Sequence, residues 1–137
     1  MNELFLDTNV FLRHLLDDDP LKSSACLALI EGLEQRTRSA WTSDLVVAEL
    51  VFILSNKRTY NRSRPEIRDS LLPLVLLPGL KLVNMRLYRR IFERYTTVPI
   101  DYIDCYHAAL VERRELPELY SYDTDFDDIS TVKRREP

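Results

Sequence analysis

Leu4-Phe5-Leu6-Asp7-Thr8-Asn9, a short apolar run closed by an acid, has a counterpart near the other end of the chain: Leu119-Tyr120-Ser121-Tyr122-Asp123-Thr124-Asp125-Phe126. A carboxylate at the C-terminal tip of a buried strand is where open α/β sheets place their ligand chemistry. Two such tips, side by side, would make an acidic pocket. The segments between them alternate short apolar runs with helical ones, the pattern of βαβ units. It predicts strands at 3–7, 39–41, 80–83 and up to Asp123, with a short last one at 131–133. Helices are expected after Asn9, after Asp17-Asp18-Asp19-Pro20, from Asp44 to about Asn56, from Ser63-Arg64-Pro65-Glu66 to Leu77, from Met85 to Tyr95, and from Ile100 past Leu110. Thr42 or Ser43 is a fitting cap for the third of these and Ser63 for the fourth. The fold class is therefore α/β, a three-layer α/β/α sandwich with a central, mainly parallel sheet.

The length of 137 residues, 45% of them apolar and 30% charged, suits one domain, 1–137. No apolar run is long enough to cross a bilayer, and Met1-Asn2-Glu3 lacks the basic start of a signal peptide. A soluble, cytoplasmic protein with no membrane partner is expected. Cys26 and Cys105 sit in helix-like apolar stretches without zinc-ligand spacing, and read as reduced core residues. Two glycines in the whole chain exclude phosphate-binding loops and dinucleotide fingerprints. The net charge of -3 argues against bulk attraction to nucleic acid, but acids gathered around cations would leave 19 Lys and Arg residues to dominate locally.

Four acids stand out because each ends or interrupts a stretch expected to be buried: Asp7, Glu49, Asp104 and Asp123. Glu49 lies inside Leu45-Val46-Val47-Ala48 and Leu50-Val51-Phe52-Ile53-Leu54, a helix apolar around most of its circumference; such a helix is expected to be buried. Neither Glu49 nor Asp104 has a basic partner within a turn. An isolated buried charge must neutralise, pair or bind a metal. Converging carboxylates repel by roughly 3 kcal/mol per pair at ~5 Å and an effective dielectric of ~20. Only cations make such a cluster sensible, and oxygen-only ligands favour Mg²⁺ or Mn²⁺ over zinc. Singly, Asp7 and Asp123 would read as caps or turn formers; the coincidence of four reverses that.

Other features read more plainly. Asp123 to Arg134 fails as an EF-hand, with Asp128 in place of the glycine and Arg134 in place of the bidentate acid. Asp17-Asp18-Asp19 is a solvated turn, His107 a structural histidine before it is a base, and Tyr102 and Tyr106 are packing residues. Lys57, Arg58, Tyr60, Arg62 and Arg64 combine cations with an aromatic ring, the mix that holds phosphates and stacks a base, although a polar loop is the simpler reading. Arg86, Arg89, Arg90 and Arg94 follow helical spacing and read as a solvated face. Leu71-Leu72-Pro73-Leu74-Val75-Leu76-Leu77 suits either core or a partner surface.

Taken in order, Asp7-Thr8-Asn9, Val47-Ala48-Glu49-Leu50, Asp104 before His107-Ala108-Ala109, and Ser121-Tyr122-Asp123-Thr124-Asp125-Phe126 resemble the PIN-domain ribonucleases, and among them the VapC-type toxins of toxin-antitoxin pairs. The resemblance implies endonucleolytic RNA cleavage with one or two Mg²⁺ or Mn²⁺ ions. By position, Asp7, Glu49, Asp104 and Asp123 match the core acids, Asp125 an accessory acid, and Thr8, Asn9 and Ser121 the supporting polar residues. It also implies a homodimer and a small antitoxin whose C-terminal segment lies across the active-site groove. Tyr122 departs from the pattern, standing where a smaller or basic residue is frequent. A housekeeping RNA-processing nuclease and a non-catalytic PIN-like scaffold are the alternatives. A haloacid-dehalogenase-like phosphatase fits least, because Asn9 stands where its second Asp belongs and its Lys and Gly-rich region are missing.

Overall fold

The computed structural model describes residues 2–137, which fall into two compact units, one ending at Met85 and the other beginning at Arg86. The first contains β1 (Glu3–Phe5), α1 (Thr8–Leu16), α2 (Pro20–Glu34), β2 (Ser39–Trp41), α3 (Asp44–Ser55), α4 (Arg64–Val75) and β3 (Leu80–Lys81). Its strands pair in parallel in the order β1-β2-β3, with Leu4 opposite Ala40 and Ala40 opposite Leu80. Helical crossovers make parallel pairing possible. Ala40 and Leu80 point into the core with Leu33, Val47, Leu50, Ile67 and Leu71. Gly79 is required at the entrance to β3: a side chain there would run into the carbonyls of Arg38 and Leu33, at 2.4 and 2.8 Å. The alternate residues Phe5, Trp41 and Lys81 share one row and are exposed, with Glu3 accepting from Trp41 Nε1 at 2.6 Å and paired with Lys81.

The caps work as the sequence indicates. Ser43 accepts from the Val46 amide, and Ser63 accepts from the Glu66 amide while its hydroxyl donates to the Glu66 carboxylate at 3.0 Å. Each satisfies a backbone donor that the first helical turn leaves open. Leu71, Leu74, Val75 and Leu77 are buried, so the apolar run at the end of α4 is chiefly core.

A 3-10 turn, Met85–Leu87, leads into the second unit, which holds α5 (Tyr88–Thr97), α6 (Tyr102–Arg113), β4 (Leu119–Tyr120), a 3-10 turn (Thr124–Asp128) and β5 (Arg134–Arg135). Strands β4 and β5 pair in parallel. The core is aromatic: Phe92 packs against Tyr88, Tyr95 and Tyr102 at ring separations of 5.8–6.3 Å, and Cys105 and Ala108 are fully buried. The α/β class and parallel pairing are as expected. Strand ends differ: β1 and β4 stop before their acids, and the last strand lies at 134–135 rather than 131–133.

Several burial expectations fail: Cys26 is half-buried rather than core, and Phe5 is exposed on a strand expected to be buried. Glu49 is exposed, on a stripe with Leu45 and Phe52, which are 80% and 70% exposed. The buried side of α3 is Val46, Val47, Leu50, Val51 and Leu54, and the opposite side is apolar without being covered. Conversely Arg94, expected on a solvated face, is 4% exposed. Its Nη2 meets Glu112 Oε1 at 2.5 Å, and Thr131 donates to the other carboxylate oxygen at 3.0 Å. Burial pushes the Glu112 carboxyl up, but the bonds from Arg94 and Thr131 outweigh it and hold the group below its ordinary range.

Candidate metal centre

Asp104 stands in the first turn of α6, whose N-cap is Asp101. Asp123 follows β4 and caps the 3-10 turn, accepting from the Asp125 amide at 2.9 Å, while its own amide donates to the Ser121 hydroxyl at 3.0 Å. This interlocked Ser-x-Asp-x-Asp turn fixes both acids next to α6. Asp104, Asp123 and Asp125 each present a carboxylate oxygen within 4.8 Å of the others.

The electrostatics record the crowding. Burial, then Asp123 and Asp101, raise the Asp104 carboxyl above its ordinary value, with His107 opposing and Asp125 adding to the rise. Asp125 is raised too, first by Asp123, then by burial, Asp128 and Asp101. Asp101 was not singled out in the sequence, although its place three residues before Asp104 was the available signal. Among the described residues, the salt bridges pair no Lys or Arg with Asp104, Asp123 or Asp125.

Three carboxylates without a cation between them suit a hard divalent ion. The group offers only carboxylate oxygens, the donor set that Mg²⁺ and Mn²⁺ take. Asp104 is half-buried and Asp123 and Asp125 exposed, which leaves one side of the group open to substrate.

The remaining candidates occupy the first unit. Asp7 is the N-cap of α1 but its carboxylate makes no capping bond, contrary to a plain cap reading. The chain carrying it is tied down by Leu6 N to Trp41 O and by the Thr42 hydroxyl to Leu6 O, both 2.8 Å; Thr42 thus anchors the residue before Asp7, where the sequence suggested only a cap. Thr8 is buried, its hydroxyl without a hydrogen-bond partner, and Asn9 is exposed. Glu49 is exposed, so the burial that would have forced a metal upon it is absent. Lys57, Arg58 and Tyr60 are exposed on the turn between α3 and α4, which is closed by Asn61 N to Asn56 O and Arg62 N to Leu54 O. Arg62 and Arg64 are half-buried.

Residues 4–132 match the family model of the PIN domain, and the chain belongs to that family. PIN domains are a nuclease fold, generally dependent on divalent metal, in keeping with the acidic cluster of the second unit. A search of curated proteins found no match. No helix among the described residues is long and apolar enough to cross a membrane.

Proposed function

We propose that the chain is an endoribonuclease dependent on Mg²⁺ or Mn²⁺, with Asp104, Asp123 and Asp125 as the metal-holding acids. The observation that carries this reading is the group of three carboxylate oxygens within 4.8 Å in a member of the PIN family. A divalent cation there would lower the pKa of a water and neutralise charge on the scissile phosphate. Asp123 and Asp125 are held by their turn, and Ser121 orients it. Asp104 holds its proton more firmly than an ordinary aspartate and would have to release it for a cation to bind. Attack by such a water in line with the departing oxygen would release one proton to solvent, while the departing oxygen would leave with the bonding pair and take one proton from solvent. In this proposal Asp7 and Glu49 are further catalytic acids, Thr8 and Asn9 support Asp7, and Lys57, Arg58, Tyr60, Arg62 and Arg64 contact RNA.

We further propose the toxin role in a type II toxin-antitoxin pair, in the cytoplasm, as a homodimer restrained by a small antitoxin. The test has two layers. Mixed RNA should be cut with Mg²⁺ or Mn²⁺, not in EDTA, and not by Asp7→Asn or Asp104→Asn; full activity of either variant or indifference to EDTA contradicts the mechanism. Expression of the chain alone should arrest growth, with relief by Asp104→Asn. Harmless expression of an active enzyme would make it a housekeeping nuclease, and a folded protein that binds RNA without cutting it a scaffold.

A further inference from the structure

Arg94 is buried but only partly engaged. Its Nη2 meets Glu112 Oε1, while its Nη1 is buried and, among the described residues, has no hydrogen-bond partner. A guanidinium carries five N–H donors and no acceptor, and a buried donor without an acceptor costs free energy. Arg94 lines a cavity of about 160 Å³ between the end of α5 and the chain that follows the 3-10 turn Thr124–Asp128. Arg90, Thr97, Asp128, Ser130 and Thr131 line it too. None of Asp104, Asp123 and Asp125 does, so the cavity is separate from the metal-binding group.

Donors outnumber acceptors around this space. The Thr97 hydroxyl is spent on Glu93 O at 2.9 Å, and that of Thr131 on the Glu112 carboxylate at 3.0 Å. The Ser130 hydroxyl makes no hydrogen bond among the described residues. Arg90 reaches Glu93 and Glu112 only at 3.3 and 3.5 Å, so Glu112 is shared between two guanidiniums. Asp128, the one acid of the wall, is exposed.

We propose that this cavity binds an oxyanion of phosphate size, held by Arg94 Nη1, the Arg90 guanidinium and the Ser130 hydroxyl. Such an ion brings several acceptors in one small body, and arginine bonds to it are charge-assisted. A cation would meet two guanidiniums, and an apolar ligand would leave Nη1 unpaired. A cavity near this volume takes a body as large as benzene, so phosphate enters and a nucleoside stays outside. The ion is then free phosphate or the terminal phosphate of a nucleotide whose remainder lies in solvent. Asp128 opposes the anion, which gives the site a signature: neutralising this acid tightens binding.

Isothermal titration calorimetry of the full chain with inorganic phosphate reads the binding, with EDTA present so that no cation carries phosphate to the acids. Saturable binding is expected. Arg90→Gln should weaken it about tenfold, the loss of one charge-assisted hydrogen bond, and Ser130→Ala about threefold. Asp128→Asn should tighten it about threefold. Arg114→Ala, exposed and outside the cavity, should match the wild type. Arg94→Lys keeps a charge for Glu112 but removes Nη1 and should abolish binding. Should that variant fail to fold by circular dichroism, Arg90→Gln and Asp128→Asn, both at exposed positions, decide alone. Adenosine monophosphate is the second arm: binding at least as tight as that of phosphate assigns a nucleotide, weaker binding assigns the free ion, and both support the site. No heat with either probe, binding that ignores Arg90→Gln, weaker binding in Asp128→Asn, or acetate bound as tightly as phosphate would overturn it.

Discussion

Asp104 carries the clearest electrostatic mark of the proposed metal centre. Its carboxyl is raised by burial and by Asp123 and Asp101, so the folded chain binds its proton more tightly than the unfolded chain does. Between the ordinary and the raised value, the native state carries more protons, and stability falls as pH rises through that window. We expect metal-free protein to lose thermal stability from about pH 4 upward as Asp104 and Asp125 ionise, and Asp104→Asn to flatten that profile. Mg²⁺ should restore stability at pH 7 and do little at pH 4, because the acids must be deprotonated to bind it; differential scanning calorimetry with Mg²⁺ and with EDTA checks both. Glu112 works in the opposite sense. Its carboxyl is lowered, so the stability it contributes is present above its unfolded value near 4.5 and is lost as pH falls through the folded one. Glu112→Gln leaves the Arg94 guanidinium buried without a counter-charge and should cost about 3 kcal/mol in denaturant titrations.

At the scale of elements, capping chemistry made the helices legible. Ser43 and Ser63 mark the starts of α3 and α4 to the residue, and Ser63→Ala should cost about 1 kcal/mol by urea unfolding. What the sequence could not convey is which side of an apolar helix is covered. Helix α3 is apolar on both sides, and burial of Val47 and Leu50 leaves Leu45, Glu49 and Phe52 outside. Periodicity fails there because both sides carry the same signal. Arg94 escaped for the reverse reason: it looks like its neighbours Arg90 and Arg86 until Glu112 of another helix turns it inward. A partner distant in sequence leaves no local trace. The Ser121-Tyr122-Asp123-Thr124-Asp125 turn follows the cap or turn-former reading of Asp123 that the coincidence of four acids had set aside, its side chains bonding to backbone two residues away.

For the whole molecule, the parallel strands and the acid tips were readable from alternating runs, whereas the division at Met85 and Arg86 was not, since no linker composition marks it. The most direct test of the account follows the rate of single-stranded RNA cleavage as Mg²⁺ is titrated against the wild type and Asp104→Asn. Loss of supporting partners around a metal costs 10- to 100-fold, so loss of a ligand should cost at least about 100-fold. The account predicts a saturable Mg²⁺ dependence that Asp104→Asn abolishes; equal cleavage by both proteins, or cleavage unaffected by Mg²⁺, would contradict it.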